Sequence, residues 1–156
     1  MFRQSPTPTS LARVLIVGCG CRGAALARSL LADGHAVRGT TRRPERAAAL
    51  EAEGIEPWVG DPDRVGSLVY AQDNVTVVCW LLGRVARAPL HGPRLRMMLS
   101  KAVDTMVRGF AYEPPADAAL RAQGLAVLEE AARTWEIPTA VVDGDPRAAV
   151  ARLLLR

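Results

Sequence analysis

The sequence predicts an α/β protein built as a doubly wound parallel sheet of about six strands with helices on both faces. Short β-branched runs alternate along the chain with longer helical stretches. Two of those runs, 13–17 and 75–82, are apolar almost throughout, as strands covered on both faces must be. The segments between runs are short, which suits strand–helix–strand crossovers and a parallel sheet.

The first strand, 13–17, breaks into a glycine-rich turn, and a helix over 23–33 follows with Ala24, Ala27 and Leu31 on one face. That helix stops at Gly34, where glycine accepts a left-handed C-terminal conformation. The second strand is 35–41. Pro44 opens a helix over 44–53, because a first-turn proline lacks only an N–H that would be unpaired anyway. The third strand, 55–59, ends in Gly60-Asp61, and a short helix is expected over 62–70. The fourth strand is 75–82, followed by a polar loop over 83–92 and a helix over 93–105 that aligns Leu95, Met98, Leu99 and Ala102. The fifth strand, 106–112, is blocked by Pro114-Pro115. The longest helix, 117–136, carries Leu125, Leu128, Ala132 and Trp135, and strand 139–142 and helix 146–155 close the pattern.

A chain of 156 residues, 49% of them hydrophobic, fits one domain over 12–156 behind a flexible N-terminal arm over 1–11. No apolar run reaches the roughly 18–20 residues of a membrane span, and the first ten residues have no signal-peptide core. Three scattered cysteines suit the reducing cytoplasm better than a disulfide framework. The net charge of +4 rests almost wholly on arginine, Lys101 being the one lysine. The arginines are scattered and few aromatics interleave with them, which argues against nucleic acid as partner.

Gly18-Cys19-Gly20-Cys21-Arg22-Gly23 fits G-x-G-x-x-G, and it stands where the pattern has meaning, after a buried strand and at the start of a helix. In that setting Gly18 permits the tight turn, Gly20 lets a pyrophosphate approach the backbone, and Gly23 lets helix and strand pack closely. The helix N-terminus then offers free N–H groups to an anion. This is the mark of a Rossmann-type dinucleotide site. An NAD site places Asp or Glu at the end of the second strand; here stand Thr40, Thr41, Arg42 and Arg43, with no carboxylate before Glu45. Guanidinium groups pair with phosphate in bidentate fashion, so NADP(H) is favoured over NAD(H).

From Val14 to Gly83 the chain resembles the atypical short-chain dehydrogenases/reductases, the NmrA-like and NAD-dependent epimerase-like NAD(P)-binding proteins. The resemblance rests on the glycine turn, on Thr40-Thr41-Arg42-Arg43, and on Val59-Gly60-Asp61 followed by Ser67-Leu68. It implies an oxidoreductase transferring hydride to a small substrate. It implies further that Asp61 lies by the adenine and that Leu81, Leu82 and Gly83 border the cofactor. The chain departs from the catalytic members, whose Tyr-x-x-x-Lys pair has no counterpart: Asn74 and Ala116 stand four residues after Tyr70 and Tyr112. The alternative is therefore a non-catalytic NADP(H)-binding sensor or partner-binding module.

Candidates for catalysis are His91, in the loop after the fourth strand, and Tyr112 and Glu113, at the carboxyl end of the fifth, where open α/β sheets bind ligands. Each has an ordinary account: a solvated loop histidine, a tyrosine packed in the crevice, a glutamate capping a turn. Cys19 and Cys21 are too close for a C-x-x-C pair and have no partner cluster, so no metal is expected and they read as small packing residues. Arg84, Arg87, Arg94 and Arg96 form either a basic rim or a solvated helix entrance. Helices 93–105 and 117–136 occupy the positions that pair subunits in the resembled family, which makes a homodimer a candidate assembly.

Overall fold

The computed structural model describes residues 11–155, and the arm expected over 1–11 lies, apart from Leu11, outside them. One parallel sheet of six strands runs through the molecule in the order β3-β2-β1-β4-β5-β6. Its strands are β1 (Arg13–Val17), β2 (Ala36–Thr41), β3 (Glu56–Val59), β4 (Val77–Trp80), β5 (Gly109–Tyr112) and β6 (Thr139–Val141). The helices are α1 (Cys21–Ala32), α2 (Ala47–Ala52), α3 (Pro93–Ala102), α4 (Ala118–Thr134) and α5 (Pro146–Leu154). The strand order reverses between β1 and β4, and a crevice opens at the carboxyl ends of these two strands.

Alternate residues of each strand feed two cores. Leu15, Val17, Val78, Trp80, Phe110 and Tyr112 point to the face covered by α3 and α4. Val14, Ile16, Val77, Cys79 and Ala111 point to the face covered by α1 and α5, where Leu50 of α2 also packs. β1 and β4 are wholly buried from Val14 and Val77 onward, which accounts for their continuous apolar runs. Asp117 and Asp145 cap α4 and α5, their carboxylates accepting from the N–H groups of Leu120 (2.9 Å) and Arg147 (3.0 Å).

Several elements differ from the sequence expectation, and the causes are local. The helix expected over 62–70 is replaced by two 3-10 turns, Val65–Ser67 and Tyr70–Gln72. Asp61 and Ser67 account for this. The Asp61 carboxylate accepts from Asp63 N–H at 2.9 Å, while the Ser67 hydroxyl accepts from Asp61 N–H at 2.8 Å and donates to Arg64 C=O at 2.6 Å. Such side-chain bonds give the backbone an alternative to the helical ladder. Arg38, buried in β2, ties the segment down by donating to Ala71 C=O (2.6 Å) and Asp73 C=O (2.9 Å) while pairing with Glu56. The third helix ends at Ala102 rather than 105, and β5 starts at Gly109 rather than 106, because Thr105 closes a turn with Ala102 C=O and Val107 N–H.

Two buried helix faces are also displaced from the expected ones. α1 buries Gly23, Leu26, Ala27 and Leu30, and α4 buries Gly124, Val127, Leu128 and Ala131. In both, a glycine lies against the sheet. At Gly124 a Cβ would stand 1.8 Å from the Tyr112 hydroxyl, so α4 rests directly on that ring. Gly→Ala inside a helix ordinarily stabilises by about 1 kcal/mol. Gly124→Ala is expected to do the reverse, losing about 1–3 kcal/mol through overpacking, seen as a lower urea midpoint in a circular-dichroism titration.

Candidate functional site

The crevice is organised by the β1–α1 turn. Gly18 leaves β1 with φ +91°, and a Cβ there would lie 2.5 Å from the Leu81 carbonyl oxygen. Gly23 sits under the turn, where a Cβ would lie 2.9 Å from the Gly18 carbonyl oxygen and 3.2 Å from Ile16. Gly20, between them, has open space in the Cβ direction. The first bond of α1 runs from Ala24 N–H to Gly20 C=O at 2.7 Å, and among the described residues no side chain caps the helix. The N–H groups of Cys21, Arg22 and Gly23 therefore have no helical acceptor and suit an anion.

On the β2 side, Thr41 shapes the chain as it leaves the strand: its hydroxyl accepts from Arg43 N–H at 3.1 Å. Arg42, Arg43 and Arg46 then all line the cleft. Among the described residues these three and Arg84 form no ion pair. Gly60, Pro62 and Asp63 complete this wall, with Asp63 held by Arg87 in a two-pronged pair of 2.5 and 2.9 Å. The Asp61 carboxylate turns into its own loop, on Asp63 N–H, and Asp61 is not among the lining residues.

On the β5 side, Glu113 lines the cleft with its side chain only 8% exposed. One carboxylate oxygen accepts from Gly83 N–H at 2.9 Å, and the group is ion-paired with Arg22. Arg22 also donates to Gly144 C=O at 2.6 Å, so its side chain spans from the first turn of α1 to the loop after β6. Gly83 borders the cleft only through this contact: a Cβ there would fall 2.5 Å from Glu113 Cγ. Leu81 and Leu82 line the cleft as β4 leaves the sheet.

His91 and Tyr112 lie behind this wall. His91 is fully buried at the end of a 3-10 turn, Ala88–His91, and is not a solvated loop residue. Its Nδ1 is 2.7 Å from the Tyr112 hydroxyl, and its Nε2 is 2.8 Å from Val85 C=O. The carbonyl can only accept, so Nε2 carries the hydrogen and the tyrosine donates to Nδ1. Burial pushes the Tyr112 phenol well above its ordinary pKa. Trp80 is likewise buried and donates to Leu90 C=O at 2.9 Å. Of the expected rim, Arg84 and Arg87 line the cleft, whereas Arg96 turns away to Glu130 of α4.

The cleft encloses about 550 Å³, within the usual range for small-molecule sites. Six arginines line it (Arg22, Arg42, Arg43, Arg46, Arg84 and Arg87) against two carboxylates, Asp63 and Glu113. Cys19, Arg46, Pro62 and Asp63 are lining residues that the motif did not mark. Arg46 lies in the 3-10 turn that follows Arg42 and Arg43, and Asp63 depends on the turn that replaced a helix. A larger groove of about 810 Å³ between α1 and α5, at the opposite end of the sheet, mixes leucines (Leu11, Leu30, Leu153, Leu154) with Asp33, Arg108 and Arg147, and gathers fewer arginines than the cleft.

The cysteines differ in the same geometry. Burial, aided by Glu53, raises the Cys19 thiol to about 11, and burial raises Cys79 to about 12. A raised pKa keeps the thiol protonated at working pH, leaving at pH 8 roughly one Cys19 in a thousand as the reactive thiolate. Cys21 is exposed at the start of α1. Iodoacetamide at pH 8 is expected to label Cys21 first, Cys19 far more slowly and Cys79 only on unfolding, as read by peptide mass spectrometry.

Comparison with known proteins agrees with this architecture. The solved structures it resembles include triphenylmethane reductase from Citrobacter sp. complexed with NADP(H), at 24% identity and TM-score 0.68, covering 83% of this chain and 48% of that one. UDP-glucuronic acid 4-epimerase from Bacillus cereus, in complex with NAD, matches at 14% identity and TM-score 0.65, covering 83% and 54%. A putative NAD-dependent epimerase/dehydratase from Bacillus halodurans matches at 16% identity and TM-score 0.68, covering 83% and 68%. The chain thus spans about half the length of the reductase. No curated protein matches it. The profile of the NAD(P)H-binding family matches residues 18–110, well over half of the sequence and the whole span from the glycine turn into β5, and the chain belongs to that family.

Proposed function

We propose that the cleft binds NADP(H) in preference to NAD(H) and presents it for hydride transfer to a small substrate. The observation that carries the preference is the convergence of Arg42, Arg43 and Arg46 on the cleft where β2 ends. Glu45, the first carboxylate after the strand, is exposed and does not line the cleft. A carboxylate at this place would accept from both ribose hydroxyls and repel a 2′-phosphate; guanidinium groups do the opposite.

In this reading the first-turn N–H groups of α1 hold the pyrophosphate, and Gly20 leaves the space for it. Thr41, Arg42 and Arg43 take the 2′-phosphate, and Leu81 and Leu82 flank the ring beyond it. When bound, the nicotinamide supplies or accepts the hydride. Asp61 acts through the turn it builds, which sets Gly60 and Asp63 at the adenine side.

The second reading, a binding module without turnover, draws support from a specific arrangement. The tyrosine at the end of β5 has no lysine partner, and both Tyr112 and His91 are fully buried. The two readings share the cofactor site and separate on turnover with carbonyl or imine substrates.

Calorimetric titration tests the preference. The wild-type chain is expected to bind NADPH more tightly than NADH. Arg42→Ala with Arg43→Ala is expected to weaken NADPH by about ten-fold or more while leaving NADH nearly unchanged, as loss of charge-assisted bonds to one phosphate requires. Equal affinities in the wild type, or parallel losses for both dinucleotides, would overturn it.

A further inference from the structure

The Arg22–Glu113 pair has a position that the dinucleotide reading leaves unused. Arg22 belongs to the first turn of α1, whose free N–H groups form the anion seat, yet its guanidinium is held by a carboxylate at the end of β5. Glu113 is the more deeply buried partner, 8% exposed against 33% for Arg22. Its remaining partner is Gly83 N–H. Nothing on Gly83 can block this, since the Glu113 side chain occupies the very space a Cβ would take. Leu82, Val85 and Leu90 line the same cleft as Glu113 and give it apolar surface.

We propose that Arg22 exchanges partners during binding: it leaves Glu113 for the pyrophosphate, and the bared Glu113 carboxylate then recognises a substrate that presents an amidinium or ammonium group on an apolar body. The proposal rests on the dinucleotide reading above. Two anions compete for one guanidinium that springs from the phosphate seat itself, and a pyrophosphate brings the larger charge. Once Arg22 turns, Glu113 is a largely buried carboxylate with a single N–H donor, a state that is costly until another cation reaches it. A substrate cation removes that cost. The dinucleotide and such a substrate therefore strengthen each other's binding, and by linkage the effect is equal in both directions.

Calorimetry with NADPH on the full chain tests the exchange. Glu113→Gln keeps the shape and the Gly83 bond but releases Arg22, so it is expected to tighten NADPH roughly five-fold or more, at the lower end of typical coupling. The same substitution in an Arg22→Gln background is expected to change nothing. On the wild-type chain, saturating benzamidine is expected to tighten NADPH, the neutral isostere benzamide is not, and the benzamidine effect is expected to vanish in Glu113→Gln. Unchanged or weaker NADPH binding by a folded Glu113→Gln overturns the exchange, and so does a wild type whose NADPH affinity ignores benzamidine. A wild-type chain that binds neither NADPH nor NADH overturns the dinucleotide reading together with the exchange, whereas binding without coupling removes the exchange alone.

Discussion

The close approach between the exits of β1 and β4 governs what the rest of the molecule can be. Gly18 turns with φ +91° within van der Waals reach of the Leu81 backbone, and Gly23 brings α1 down against the Gly18 carbonyl. A side chain at either place would push the helix off the sheet or the two strands apart. Because the strand order reverses at this point, the helices that follow β1 and β4 diverge to opposite faces and leave the crevice between them. The uncapped N-terminus of α1 then opens onto that crevice. Helix packing and the anion seat both depend on this one backbone contact at the point where the strand order reverses.

Much of this was legible in the sequence because the relevant signals are local. Continuous apolar runs marked β1 and β4, and a glycine pattern between strand and helix marked the turn. What escaped was set by partners distant along the chain or by residues without hydrophobic weight. Gly23 and Gly124 lie at the centres of buried helix faces, but a glycine adds nothing to an apolar stripe, so the faces of α1 and α4 were drawn one position away. The helix expected over 62–70 gave way to turns held by Asp61, Ser67 and the buried Arg38, the last reaching across from β2. His91 looks like a loop residue until β5 brings Tyr112 beside it.

Charge shows the same division. The sequence displays scattered arginines, and the fold sorts them. Arg96 closes a two-pronged pair with Glu130, Arg38 fastens a connection, and Arg87 joins Asp63 in the lining of the cleft. Arg42, Arg43, Arg46 and Arg84 are left without ion-pair partners among the described residues, all on one cavity. A focused positive field of this kind favours an anionic ligand in the encounter as well as in the complex. Guanidinium suits the task better than ammonium, because its planar fork matches phosphate oxygens.

The groups best equipped for acid–base chemistry are instead committed to the frame. Tyr112 donates to His91 and His91 donates to Val85 C=O, an arrangement with one proton per bond and no spare acceptor on the imidazole. Its effect is to pin the 83–91 segment, whose Arg84, Val85 and Arg87 form one wall of the cleft, onto the end of β5. Gly124 of α4 closes in on the same hydroxyl, leaving no room there even for a Cβ. That leaves Glu113, one residue further along the same strand end, as the titratable group that lines the cleft on this side. A single step along an extended chain reverses the side-chain direction. Neighbouring residues at the end of β5 are thereby divided between holding the wall and lining the cleft.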